Sequence, residues 1–194
     1  MTSFEFFFGF YALILGLSVV EVVNGFARVM RARSRIKLGF CTPLLALLIL
    51  LDLIQFWNDT WTRGQDIEIS PAVLAAALAS ASIYYLAASL VFPDRLEDWD
   101  EFDTYYDQQK RSVFGAIIAA NILGYLILPL VAGQLDLTRM SVASVFMGAL
   151  SFSLLLLPIV LIWVFRDRRI NGALLGFMCL LYLIDIIASA IAAR

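Results

Sequence analysis

The last apolar stretch of the chain reads "GALLGFMCLLYLIDIIASAIA", Gly172 to Ala192. It is about 20 residues long, the length an α-helix needs to cross a hydrocarbon core about 30 Å thick. Its only acidic or basic side chain is Asp185, and none other falls between Arg169 and Arg194. The stretch reads as a transmembrane helix carrying one carboxylate. Five further stretches have the same character: 4–23, 38–57, 71–92, 113–131 and 141–165. Closed membrane barrels show short alternating segments instead. Continuous apolar runs satisfy their backbone groups within a helix. The expected fold is therefore an all-α integral membrane protein, a bundle of six transmembrane helices forming one domain over 1–194.

Composition agrees. Hydrophobic residues make up 62% of the 194-residue chain, against about 45–50% in ordinary soluble domains. Net charge is −2, so no basic field invites nucleic acid. The chain has no histidine, which removes His-ligated metals, Ser–His and Cys–His nucleophiles and imidazole relays. Cys41 and Cys179 both fall in expected spans and read as small packing residues rather than a disulfide or metal pair. No metal or cofactor is expected. The opening "MTSFEFFFGFYALILGLSVV" lacks a basic leader region and a cleavage site, so it reads as a retained first span.

Lysine and arginine set the direction of the spans. Eleven basic residues fall in three loops, after spans one, three and five, and only Arg63, Arg139 and Arg194 fall on the other side. That split puts the basic loops in the cytoplasm and both termini outside it, as in a bacterial-type inner membrane. Ser70-Pro71 has the form of an N-cap followed by proline in the first turn. Trp57 and Trp61 mark the outer interface. Pro129 and Pro158 fall within spans and should kink them. An internal repeat is not supported: "IYYLAASLV" and "LYLIDIIASAI" share little beyond Tyr-Leu and Ala-Ser.

The segment between spans three and four, "FPDRLEDWDEFDTYYDQQKRSVFG", is polar, with seven acids against three bases from Asp94 to Arg111. Asp94 and Glu97 resemble a capping box. At helical spacing Leu96, Trp99, Phe102 and Tyr106 share a face. The spacing predicts an amphipathic cytoplasmic helix over 94–111 that lies at the interface or runs on into span four. "RVMRARSRIK" is its basic counterpart, and a clasp pairing Arg31 and Arg35 with the acids is one reading. Arg31, Arg35, Trp99 and Phe102 are the candidate cytoplasmic interaction residues.

Three acids lie in spans: Glu21, Asp52 and Asp185. A central aspartate costs about 3 kcal/mol in lipid, so such groups usually face a bundle interior or water. At 1.5 Å per residue, Asp52 and Asp185 each lie about 21 Å from the inner ends of their helices, at one shared level. Tyr182 and Ser189 place hydroxyls on the face of Asp185, Gln55 lies on the face of Asp52, and Asn121 sits near mid-membrane in span four. No lysine or arginine is expected deep in a span. The small-residue stripes Ala72, Ala76, Ser80 and Ser141, Ser144, Gly148, Ser151 suit close helix packing.

Two readings follow. In the leading one, Asp185, Asp52, Tyr182, Gln55, Asn121 and Glu21 line a path for protons, cations or a small solute. In the alternative, the chain is a non-catalytic accessory or scaffold subunit of a membrane complex. The lipid bilayer is the surrounding partner in both, with a second copy or another membrane protein as the protein partner. A lipid enzyme lacks a convincing cluster of catalytic groups, and no substrate is named by any motif.

Overall fold

The computed structural model describes residues 2–32, 37, 39–65, 67–133, 153–154 and 156–192, and every long element in it is a helix. Five of these helices are long and apolar enough to cross a membrane. Most of the expected span over 141–165 lies outside the described residues; its described part is helical at 153–154 and 156–164.

Helix α1 runs Ser3–Ala32. It opens on a capping box: the Glu5 N–H donates to Thr2 Oγ1 at 3.1 Å and the Thr2 N–H donates to Glu5 Oε2 at 2.7 Å. Phe4, Phe7, Tyr11, Leu15, Ser18, Val22, Gly25 and Val29 recur at three-and-four spacing and form its buried stripe. Gly25 is needed for close approach, since a Cβ there would collide with the Phe92 ring. The helix outruns the apolar stretch and carries Arg28 and Arg31 on its last turns.

Helix α2, Cys41–Arg63, is the central one, with 56% of its apolar window buried. Its first residues supply no cap of their own. Asp103, from far along the chain, supplies it: Oδ1 accepts from the Cys41 N–H at 3.0 Å and the Thr42 N–H at 3.4 Å, and Oδ2 accepts from the Phe40 N–H at 3.2 Å. Thr42 Oγ1 donates back to the Phe102 carbonyl at 3.1 Å. The carboxylate satisfies helix-start donors and sits at the positive end of the helix dipole. Gly39 makes room for it, with φ +62° and no Cβ to strike Asp103.

Helix α3 runs Pro71–Ser89, and Ser70 Oγ accepts from the Val73 N–H at 3.3 Å, as the Ser-Pro signal implies. The helix expected over 94–111 begins only at Phe102. Before it stand a short 3₁₀ turn, Leu96–Asp98, and an extended run. The reason is a competing ladder: Lys37 N–H donates to Asp100 O at 3.2 Å and Phe102 N–H donates to Lys37 O at 3.1 Å. A helix through this point would need the same Phe102 donor for Asp98. From Phe102 the helix continues unbroken through Val131 and is called α4. Its turn over Leu123–Ile127 widens to a π-helix, with the Leu128 N–H reaching Leu123 O. This wider turn directly precedes Pro129, whose missing N–H and bulky ring disturb the regular ladder. The helix at 156–164 is α5, and α6 runs Arg168–Ala192.

Side-chain contacts fix the directions. Phe4 and Phe8 at the start of α1 meet Trp61 and Trp57 at the end of α2, so these two are antiparallel. Tyr105 donates to Leu90 O and Ser80 to Ala120 O, so α3 and α4 are antiparallel. Cys41 faces Arg168, Asp52 faces Tyr182 and Gln55 faces Asp185, so α2 and α6 run parallel and in register. Lys110 meets Phe165 O at the Asp103 end of the bundle. Helix α6 packs chiefly on α2 and is peripheral, with 17% of its apolar window buried.

Candidate functional site

Asp52 is 3% exposed and stands where four helices meet. Its Oδ2 accepts from the Tyr84 hydroxyl of α3 at 2.5 Å and from Asn121 Nδ2 of α4 at 3.4 Å. Its Oδ1 accepts from the Tyr182 hydroxyl of α6 at 2.6 Å. Asn121 is itself fixed by donating to Ile117 O at 2.9 Å, one turn back in its own helix. Tyr84 is wholly buried, and its ring meets Phe56 edge-on with centroids 5.4 Å apart. Gly124 in the π-turn leaves room for the Phe56 ring and the Ser80 hydroxyl, where a Cβ would collide. Interhelical bonds of this kind contribute about 0.6–2 kcal/mol each in a membrane. One carboxylate thus ties α2 to three neighbours.

One turn further along the same seam, Gln55 Nε2 donates to Asp185 Oδ2. The two rungs run opposite ways: the acid is on α2 in one and on α6 in the next. Tyr182, expected beside Asp185, gives its hydroxyl to Asp52 instead. Its long side chain reaches across the seam, whereas Asp185 sits on the exposed side of α6. Ser189 is exposed as well. Glu21 belongs to neither rung; its carboxylate lies 3.9 Å from Arg28 of the same helix.

The expected cytoplasmic interaction residues separate. Arg31 Nε donates to Ala27 O within α1, and Arg35 lies outside the described residues. Phe102 is buried at 1% exposure, and Trp99 meets the Tyr105 ring edge-on. The acids are clasped, but by Arg168 at the start of α6. Its Nη1 lies 2.7 Å from Glu101 Oε2, its Nε 2.8 Å from Asp107 Oδ2, and its Nη2 donates to Thr104 at 3.1 Å. The Arg168 hydrogen bond holds the Glu101 carboxyl below the ordinary glutamate value of 4.5. Next to this clasp, Lys110 is nearly buried, donates to Phe165 O at 3.1 Å, and lies 5.7 Å from the Tyr106 ring centre. With its amide turned to suit both neighbours, Asn171 accepts from Lys110 at 2.8 Å and donates to Phe165 O at 3.3 Å.

Sequence reading did not single out Tyr84, Asp103 or Arg168. Tyr84 carried a signal, a hydroxyl within an Ala-rich helix seam. Among the described residues no three acidic or cysteine side chains gather where they could hold a metal. A hollow of about 430 Å³ lies at the Trp61 end, lined by Thr2, Phe4, Glu5, Trp61 and Gln65, and Asp52 does not line it. Comparison of the chain with protein-family models, with curated proteins and with solved structures returned no match.

Proposed function

We propose that this chain is a six-span accessory or scaffold subunit of a membrane complex, held rigid by the Asp52 node. The carrying observation is that Asp52 is 3% exposed and its carboxylate is engaged by donors from three other helices. A carboxylate that moves ions has to exchange with water, and this one is enclosed by side chains that hold helices together. Six spans fit the helix directions: α2 and α6 are parallel, and Phe165, which ends the expected fifth span, meets Lys110 at the Asp103 end. In the proposed topology the basic loops are cytoplasmic, both termini are outside, and the protein resides in an inner membrane.

A second reading, transport of protons or cations, draws on the adjacency of the Tyr182–Asp52 and Gln55–Asp185 rungs. Proteoliposomes separate the two. With native protein, proton and monovalent-cation flux should equal that of protein-free vesicles. Flux above that level, abolished by Asp52→Asn, would overturn the scaffold reading and establish the second.

A further inference from the structure

Asp185 is an exposed carboxylate on a helix whose neighbouring surface is apolar. Leu180 is 53% exposed, Ile184 54% and Ile187 58%. From Arg168 the helix rises about 26 Å to Asp185, which places the carboxylate within the bilayer rather than at the end of the helix. Among the described residues its hydrogen bond comes from Gln55 alone. A carboxylate has two oxygens and about four acceptor positions, so most of its capacity is unused. An ionisable side chain that faces lipid in a span is costly unless it is paired.

The exposed surface of α2 next to Gln55 is apolar as well. Further round α2, towards the side where Trp57 and Trp61 meet Phe8 of α1, Ile54, Trp57, Asn58 and Trp61 line a shallow hollow of about 370 Å³. Ile54 and Trp57 are 49% and 45% exposed. Exposed apolar side chains of α2 and α6 therefore flank the Gln55–Asp185 pair.

Charge decides the occupant. The described arginines and lysines lie near helix ends, in the connections or, for Lys110 and Arg111, within the first three turns of α4 at the Asp103 end, and none reaches the level of Asp185. A second copy of the chain, inserted the same way and packed about an axis normal to the membrane, would bring Asp185 against Asp185. A second copy would bring an acid to an acid and no described basic group at that level, so a basic partner has to come from a different chain. We propose that the Asp185–Gln55 edge of the α2–α6 seam docks a transmembrane helix of another protein that carries a lysine at the depth of Asp185. The inference rests on the scaffold reading, for which it names the partner's chemistry.

The test uses the full chain in lipid vesicles, with a donor dye on a cysteine appended after Arg194. The probe is a synthetic leucine–alanine helix of about 23 residues, long enough to span, with an acceptor dye and one lysine a third of the way from one end. Energy transfer should show the lysine peptide binding at least about tenfold more tightly than an all-apolar version. Asp185→Asn should erase that preference. Asp185→Lys should transfer it to a peptide with glutamate in place of lysine, which also shows that the variant is folded. Equal binding of lysine and apolar peptides, or an unchanged preference in Asp185→Asn, overturns the proposal. So does self-association of the native chain that excludes the lysine peptide. Ion flux in the preceding assay would sink the scaffold reading while leaving this peptide result standing, so the two failures are distinguishable.

Discussion

Removing one partner at a time from the Asp52 node gives a sharp quantitative expectation. Tyr84→Phe deletes the 2.5 Å bond to Oδ2, and Tyr182→Phe deletes the 2.6 Å bond to Oδ1. Each change keeps the ring and its packing, so each should cost about 1–2 kcal/mol, the upper part of the range for interhelical bonds. Asp52→Leu removes the acceptor for all three donors and leaves the Tyr84 hydroxyl, itself wholly buried, with only the Ile49 carbonyl at 3.5 Å. That should cost about 3 kcal/mol or more, because stranded buried donors add their desolvation to the lost bonds. Asp52→Asn retains one acceptor oxygen but turns a donor toward other donors, and should fall between. The assay is reversible unfolding in detergent micelles, read by near-ultraviolet circular dichroism. The decisive quantity is the coupling energy: in an Asp52→Leu background both tyrosine changes should cost nothing or regain stability by removing a stranded hydroxyl, giving a coupling of at least about 1–2 kcal/mol for each pair. If Tyr84→Phe and Tyr182→Phe cost the same with and without Asp52, the carboxylate does not organise the four helices and the argument built on it fails.

Three further expectations concern the Asp103 end. The Glu101 carboxyl is depressed by Arg168, so the clasp contributes fully above the ordinary glutamate value and is lost as pH falls through the lower, folded one. The thermal midpoint in detergent should therefore drop on acidification from about pH 7 to about pH 3, and the drop should shrink in Glu101→Gln and in Arg168→Ala. Asp103→Ala should destabilise by about 1–2 kcal/mol, as the loss of a helix cap does. Gly39→Ala should cost a similar amount through its positive φ and its overlap with Asp103, and amide exchange at Phe40, Cys41 and Thr42 should rise in both.

The helical membrane class was legible because hydropathy and length act locally, and lipid leaves the backbone no alternative. Ser70-Pro71 was legible for the same reason: cap and helix are adjacent in sequence. At 94–111 the local signals misled. Asp94 and Glu97 look like a helix start, yet the Phe102 N–H is claimed by Lys37, some 65 residues earlier. The acids of that segment were legible as one half of a clasp, but charge counting does not choose between Arg31, Arg35 and Arg168. In the spans, helical depth put Asp52 and Asp185 at one level, but Asp185 meets Gln55, one turn beyond Asp52. Which hydroxyl meets which carboxylate depends on side-chain reach across a seam, and Tyr182 reaches further than spacing along its own helix conveys. Tyr84 and Tyr85 are adjacent in sequence, one wholly buried against Asp52 and the other exposed, a difference set by helix rotation.

The cap on α2 also constrains the order of events during synthesis. Its donors at Phe40, Cys41 and Thr42 precede Asp103 by 61 to 63 residues. At about 5–20 residues per second, ribosomes need roughly 3–12 s to make that interval. For those seconds α2 stands with its first amides answered only by water and headgroups, and Lys37 lacks the strand it will pair with. When residues 100–103 emerge, one short stretch closes the Lys37 bridge, caps the start of α2 and begins α4. This end of the bundle is thus joined in two late steps: the cap closes after three helices have been made, and the Arg168 clasp closes only once α6 begins.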